Sequence, residues 1–150
     1  DPIGASNTWR WTGYRNSWIV LDGQPVQSVS GGGHWGGGMF IHAEDMARFG
    51  LLHLRNGKWN NQQLIAESWI KQSSTPGPAN AEYGYMNFFL NTHRKFLPAA
   101  PESAVVHVGN GNNIIYVDQE NDLVVVLRWI SQKGMNDTIG AILEALKLYK

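Results

Sequence analysis

The pattern of apolar and polar residues is most regular in the last third of the chain. Residues 104–108 predict a β-strand, residues 109–112 a tight turn, and residues 113–117 the returning strand of a hairpin. A second turn at 119–122 leads into residues 123–130, which are apolar at most positions and predict a strand covered on both faces. The three strands together predict an antiparallel meander.

Two segments have the apolar spacing of amphipathic helices. In residues 41–57, Met46, Phe49 and His53 recur at i, i+3 and i+7, and this spacing predicts a helix whose apolar face packs on the core. Near the C-terminus, Asn136 is placed to cap a second helix that covers one face of the meander. The apolar stripe of that helix consists of Ile139, Ile142, Leu143, Leu146 and Tyr149.

The first half of the chain is less regular. Residues 18–21 and 26–29 predict a hairpin around the turn Asp22-Gly23, residues 66–72 a short helix, and residues 83–90 an aromatic-rich strand. Helices combined with an antiparallel sheet predict an α+β fold.

Composition argues against several classes of partner and site. The chain has 150 residues with 12 basic and 12 acidic side chains, so its charge does not favour nucleic acid or an anionic membrane. No apolar segment approaches the roughly 20 residues that span a bilayer. There is no cysteine, and His42 and His53 are expected to pack or cap a helix rather than bind metal. Neither a metal nor a cofactor is therefore expected.

A glycine tract at residues 30–38 holds six of the 17 glycines and encloses a His-Trp pair. A flexible linker is rich in glycine and serine but does not carry two large rings at its centre. Because glycine allows close backbone approach, the tract predicts a pocket wall, with a structural turn as the alternative. The candidate substrate-binding residues here are His34, Trp35 and Gly36.

The first sixteen residues follow neither a helical nor a strand period, yet they include Trp9, Trp11 and Tyr14. Such rings need a surface to pack against. Two interpretations are open. The segment is an ordered loop on the core of this domain, or the surface that it contacts belongs to an upstream part of the protein.

Several segments, taken in order, resemble one family of enzymes. They are PIG at 2–4, GGMFIHAEDMARFG at 37–50, NG at 56–57, IAESWI at 65–70, YGY at 83–85, HVG at 107–109, VDQE at 117–120 and DLVVV at 122–126. The chain is similar to the C-terminal half of the β-lactamase-related serine hydrolases, which include class C β-lactamases, DD-peptidases, esterases and aminohexanoate-oligomer hydrolases.

This resemblance implies a domain organisation. Residues 1–150 would be the C-terminal part of a β-lactamase-like domain. Residues 1–80 would contribute to its helical lobe and loops, and residues 81–150 would form the antiparallel sheet with the C-terminal helix packed on it.

In that family the serine nucleophile lies in a Ser-x-x-Lys motif and a second base in a Tyr-x-Asn motif, and the resemblance implies that both lie upstream. Two segments imitate these motifs, Ser68 with Lys71 and Tyr85 with Asn87. Tyr85 follows Lys71 by only 14 positions, which leaves no room for the helical domain between the motifs. We therefore expect neither segment to be catalytic.

The triad His107-Val108-Gly109 resembles the Lys-Thr-Gly triad of the family in its histidine-first form. By that resemblance His107 donates a hydrogen bond or moves a proton near the attacked carbonyl, Gly109 lets the acyl group approach, and Val108 contributes to substrate binding. The backbone N–H of Asn110 would be one of two oxyanion donors. On the residues alone, the alternative is a plain hairpin turn preceded by an ordinary strand histidine.

The resemblance implies a hydrolase that forms an acyl-enzyme on an ester, amide or peptide bond of a small-molecule or peptide substrate. Histidine and valine replace the cation and hydroxyl that hold a β-lactam carboxylate, which argues against penicillin. The expected partner is the missing N-terminal half of the same protein, which would be periplasmic or secreted. This chain alone is expected to be inactive, and the alternatives are a silent fragment or a tryptophan-rich glycan-binding module.

Overall fold

The computed structural model describes residues 1–13, 15–27, 38–85 and 88–149. Within these ranges three α-helices accompany a five-stranded sheet and three two-stranded pairs. The elements are β1 (Arg10–Trp11), β2 (Trp18–Leu21), β3 (Gln24–Gln27), β4 (Met39–Phe40), α1 (Ala43–Leu54), β5 (Lys58–Trp59), β6 (Gln62–Gln63), α2 (Glu67–Ser73), β7 (Tyr83–Gly84), β8 (Phe88–Leu90), β9 (Val105–Gly109), β10 (Asn113–Asp118), β11 (Leu123–Leu127) and α3 (Gln132–Lys147).

The five-stranded sheet is an antiparallel meander with the order β7, β8, β9, β10, β11. In its register, Ile115 of β10 pairs with His107 of β9 on one side and with Val126 of β11 on the other. The predicted meander and α+β class are thereby confirmed. The segment 83–90 extends the meander with β7 and β8, which pair with each other.

α3 covers one face of this sheet. Val106 and Ile114 point to that face and are 0% exposed, and Ile139 of α3 packs against them. Residues two apart along a strand share a face, so Tyr116 is buried in the same core. Its hydroxyl donates a hydrogen bond to the carboxylate of Asp118 (2.7 Å), which satisfies both buried groups on this side.

α1 packs on the opposite face, against β10 and β11. A Cβ at Gly50 would overlap the side chains of Val124 and Ile115, so glycine lets the helix approach the sheet closely here. Met46 and Leu54 of the same helix complete this second core. The predicted core-facing helix is confirmed.

Two predicted boundaries at the C-terminal end are wrong. The N-cap of α3 is Ser131, whose Oγ accepts a hydrogen bond from the Gly134 N–H (3.1 Å). Asn136 lies inside the helix, and its Oδ1 accepts a backbone N–H from the loop before β9 (3.0 Å). β11 ends at Leu127 rather than at residue 130, because Trp129 has a left-handed backbone (φ 55°) that is incompatible with a strand.

The N-terminal strands carry exposed apolar side chains. The predicted hairpin is present as β2 and β3, and β1 pairs with β4. The segment before β1 is tied to α1, because the Asp45 carboxylate accepts hydrogen bonds from the Ser6 N–H (3.0 Å) and hydroxyl (2.6 Å). The exposed apolar residues are Trp9, Trp11, Trp18, Ile19, Val20, Leu21, Val26, Met39 and Phe40. Two of the aromatic residues near the start are thus not buried in the described core, and Tyr14 lies outside the described residues.

Candidate functional site

β9 divides the histidine-first triad between the two faces of the sheet. His107 lies on the α1 side, where its ring contacts Phe49 edge to face with centroids 5.2 Å apart. Val108 lies on the α3 side and packs against the core there. His107 and Val108 are half-buried, whereas Gly109 and Asn110 are exposed at the end of the strand. The first and third residues of the triad therefore share one face, and the second belongs to the packing of the other.

A second histidine lies next to His107. The Nδ1 atom of His53 is 3.4 Å from the Nε2 atom of His107, and the two rings are nearly perpendicular. His53 follows Phe49 by four positions on α1, and positions i and i+4 share a helix face. Both side chains of α1 are therefore directed at the same ring on β9.

A hydroxyl completes this polar chain. The Nε2 atom of His53 lies 3.3 Å from the Oγ atom of Ser74, the residue that follows α2. Three elements that are distant in sequence thus contribute one group each, Ser74 at the end of α2, His53 on α1 and His107 on β9. The order of contacts is hydroxyl, imidazole, imidazole.

Burial determines the charge of His53. The residue is 4% exposed, and desolvation lowers the pKa of its imidazole from 6.5 to about 4. At neutral pH His53 is therefore uncharged, with one ring nitrogen as a donor and the other as an acceptor.

Because His53 is neutral, the ring nitrogen that carries its proton determines whether His107 and Ser74 donate or accept a hydrogen bond. When Nδ1 of His53 carries the proton, it donates to Nε2 of His107 and its own Nε2 accepts from the Ser74 hydroxyl. When Nε2 carries the proton, it donates to Ser74 and Nδ1 accepts from His107. A positively charged His107 has an N–H at both ring nitrogens, so only the second arrangement accommodates it. A neutral His53 can thus accept a hydrogen bond from a charged His107.

Packing does not require glycine at position 109. A Cβ at this position would make only ordinary contacts, the nearest being Asn113 O at 3.5 Å. Gly111, in the following turn, has φ 74°, and a Cβ there would overlap the ring of Trp129. Asn110 lies between these two glycines, and its carbonyl accepts a hydrogen bond from Nδ2 of Asn113 (2.5 Å). Gly109 is therefore an exposed strand end at which an added methyl group would meet only ordinary contacts.

The remaining sequence candidates are placed as follows. His34, Trp35 and Gly36 lie outside the described residues, as does Asn87. Ser68 and Lys71 are exposed on α2. The structure therefore brings His107, Gly109 and Asn110 together at one strand end, and adds to them a pair of residues that the sequence did not assign to a site.

Those additional residues are His53 and Ser74. The sequence placed His53 in the apolar stripe of α1, and its burial confirms a packing position. Its neighbour on β9 is 54 positions away, so no local motif joins the two histidines. The available signal was a titratable residue within an otherwise apolar helix face, which is unusual enough to suggest a partner on the sheet.

Two further properties concern the residues that the structure describes. Within that part of the chain, no group of three or more His, Asp or Glu side chains is arranged to hold a metal ion. None of the described helices is long and apolar enough to cross a membrane.

Comparison with known proteins shows that the fold of this chain is similar to a solved structure. No family model matches the sequence, and no curated protein matches it. The structure is similar to one described as "Putative 6-aminohexanoate-dimer hydrolase from Bacillus anthracis", with a TM-score of 0.53 and 22% sequence identity. The match covers 75% of this chain and 30% of the other, so this chain corresponds to under a third of its length. At this identity the likeness shows the fold alone, and that fold agrees with the β-lactamase-like fold expected from the sequence.

Proposed function

We propose that this chain is the C-terminal part of a β-lactamase-like serine hydrolase that acts through an acyl-enzyme on an ester, amide or peptide bond. The observation that supports this most is the position of His107. It lies beside an uncovered strand end at Gly109 and next to the neutral imidazole of His53. The likeness to a hydrolase structure over 75% of the chain supports the same proposal.

In this proposal the nucleophile lies in a Ser-x-x-Lys segment outside residues 1–150. Its hydroxyl attacks the substrate carbonyl, the leaving group departs with a proton, and water then hydrolyses the acyl-enzyme. This chain contributes three groups. The His107 ring donates a hydrogen bond or a proton, the Gly109 backbone accommodates the acyl group, and the N–H of Asn110 faces the developing oxyanion.

His53 acts in the proposal as a positioning residue for His107. It is uncharged at neutral pH, so its Nδ1 atom accepts the Nε2–H of His107 while its Nε2–H donates to Ser74. This arrangement fixes the ring and directs the second nitrogen of His107 away from α1.

The substrate class follows from the triad. Val108 packs toward α3 and has no hydroxyl, so the triad lacks the group that binds a carboxylate in the threonine form. An ester, amide or peptide without a β-lactam ring is therefore the proposed substrate, and glycine at 109 leaves room for its acyl portion.

The test requires a protein in which this segment follows its Ser-x-x-Lys and Tyr-x-Asn segments. We expect a fluorophosphonate to label the serine of that upstream motif, as read by mass spectrometry of the digest. His107→Gln is expected to lower kcat/KM for acyl esters and amides about 10²- to 10⁴-fold, the usual contribution of a proton-transfer group. His93→Gln is the matched control, since His93 is an exposed histidine in the short 3₁₀ turn before Lys95, and it should leave kcat/KM unchanged.

His53→Phe tests the positioning role separately. The variant keeps an aromatic ring on α1 but removes the nitrogen that contacts His107, so the His107 ring loses its hydrogen-bonding partner on α1. We expect kcat to decrease while KM changes little, because His53 contacts His107 and not the substrate. Equal activity of His107→Gln and wild type, or covalent labelling of Ser68 in the 150-residue chain alone, would contradict the proposal.

A further inference from the structure

Trp129 is the most unusual aromatic residue of the described chain. It is the second residue after the end of β11, it is 72% exposed, and its backbone has φ 55°. A bulky residue in the left-handed region is strained, and such strain persists where the surrounding structure enforces it. Burial does not explain this residue, because most of its ring lies in solvent.

The turn between β9 and β10 holds the ring in place. Gly111 has φ 74°, and a Cβ at this position would overlap Cζ3 and Cε3 of the Trp129 ring. The two residues therefore fit each other. Gly111 has no side chain, and the ring of Trp129 packs directly on its backbone. The arrangement fixes an aromatic surface beside the turn while leaving most of that surface accessible.

The polar groups around this platform are amides and one guanidinium. The Nε atom of Arg128 donates to Oδ1 of Asn113 (3.3 Å), and Nδ2 of Asn113 donates to the carbonyl of Asn110. Arg128 and Asn110 are exposed, and within the described residues the terminal amino groups of Arg128 meet no carboxylate. Asn110 directly precedes Gly111, which the ring contacts, and Arg128 directly precedes Trp129, so an amide and a guanidinium with planar geometry are the sequence neighbours of this contact.

We propose that Trp129, on the turn 110–113, is a stacking platform for a sugar ring of a neutral oligosaccharide. A pyranose presents a face of C–H groups that packs on an indole, and its hydroxyls come in adjacent pairs that amide and guanidinium groups can bind together. A hydrocarbon ligand would leave the amides and Arg128 without a role. This site shares Asn110 with the proposed serine chemistry, but it needs no acylation and no residue outside residues 1–150.

The experiment uses the 150-residue chain labelled with ¹⁵N. Its seven tryptophans give seven indole N–H signals, and the signal of Trp129 is the one absent from Trp129→Phe. Chitotriose and cellotriose, both uncharged, are titrated separately. We expect at least one of them to shift the Trp129 signal in a saturable way, while the signal of Trp69, which is also exposed, does not move.

Variants separate stacking from other effects. Trp129→Ala is expected to weaken binding by about tenfold or more, whereas Trp129→Tyr keeps the affinity within about threefold, since an aromatic face is retained. Trp69→Ala is the matched control and should leave the affinity unchanged. The proposal is overturned if neither sugar shifts the Trp129 signal, or if Trp129→Ala, folded by the dispersion of its spectrum, binds as well as wild type.

Discussion

The two faces of the β9–β10–β11 sheet differ in how they are packed. On the α3 side, Val106 and Ile114 are fully buried, and the polar groups of Tyr116 and Asp118 are hydrogen bonded to each other. On the α1 side, the residues over β10 and β11 are apolar, but at β9 the helix meets the sheet through a histidine on each element. One face is closed, and the other ends in a titratable pair beside an uncovered strand end.

This difference indicates that the α1 side of β9 is less stable than it would be with an apolar residue at position 53. A leucine at position 53 would bury more apolar surface without the desolvation cost that lowers the pKa of His53 to about 4. Proteins depart from the best packing residue mainly at functional positions. The comparison therefore favours the α1 side of β9 as the position of the proposed site, with the α3 side as its support.

The largest expected effect lies on the closed face. Ile114→Ala removes a side chain that is 0% exposed and leaves a cavity under α3, which should cost about 3–5 kcal/mol of unfolding free energy. Val126→Ala, half-buried on the α1 side, should cost about 1–2 kcal/mol. Urea unfolding midpoints at constant m-value measure both. Equal costs for the two variants would remove the distinction between the faces.

The second effect is a dependence of stability on pH. The pKa of His53 is about 4 in the folded chain and 6.5 when unfolded, so between these values only the unfolded chain binds the proton. Stability should therefore decrease as pH falls from 6.5 to 4, by up to about 3 kcal/mol. Asp45 contributes to the pH dependence of stability at lower pH, because the hydrogen bonds from Ser6 and the charge of Arg48 lower its pKa below 3.8.

Replacement of His53 isolates its contribution to the pH dependence of stability. His53→Phe should flatten the loss of unfolding free energy between pH 6.5 and 4, whereas His93→Gln should leave the slope as in wild type. Thermal unfolding at a series of pH values gives the comparison. A slope that survives in His53→Phe would assign the pH dependence to another group.

The smallest stability effect concerns the strand end. At Gly109 a Cβ meets only ordinary contacts, so Gly109→Ala should change the unfolding free energy by less than about 0.5 kcal/mol. Gly111→Ala is the matched variant: the positive φ and the overlap with Trp129 should cost about 1–3 kcal/mol. In the catalytically complete protein, Gly109→Ala should nevertheless lower kcat/KM, because the methyl group occupies the space proposed for the acyl group. Unchanged kcat/KM would place the substrate elsewhere.

The sequence predicted the parts of this fold that depend on local pattern. Two short apolar segments and the glycine-asparagine turn between them located β9 and β10, and the apolar stripe located α1. The sequence analysis placed the start of α3 at Asn136, which lies inside the helix. Ser131 is the cap, and Asn136 is instead used to hold the preceding loop.

The site was predicted only in part, for a physical reason. His107 and Gly109 are in one motif, but the His53 contact arises from how closely α1 approaches the sheet, which Gly50 permits and no periodicity encodes. The tilt of a helix on a sheet depends on all of its packing partners at once. A pairing across 54 positions therefore becomes visible only in three dimensions.

The central claim is that a buried, neutral His53 holds His107 at the uncovered end of β9. The most direct measurement is a pH titration of the imidazole ¹⁵N signals of both histidines in the 150-residue chain. We expect His53 to remain neutral down to about pH 4, and its nitrogen shifts to respond when His107 titrates, because they share one hydrogen bond. Titration of His53 near 6.5, with shifts that ignore the state of His107, would contradict the account.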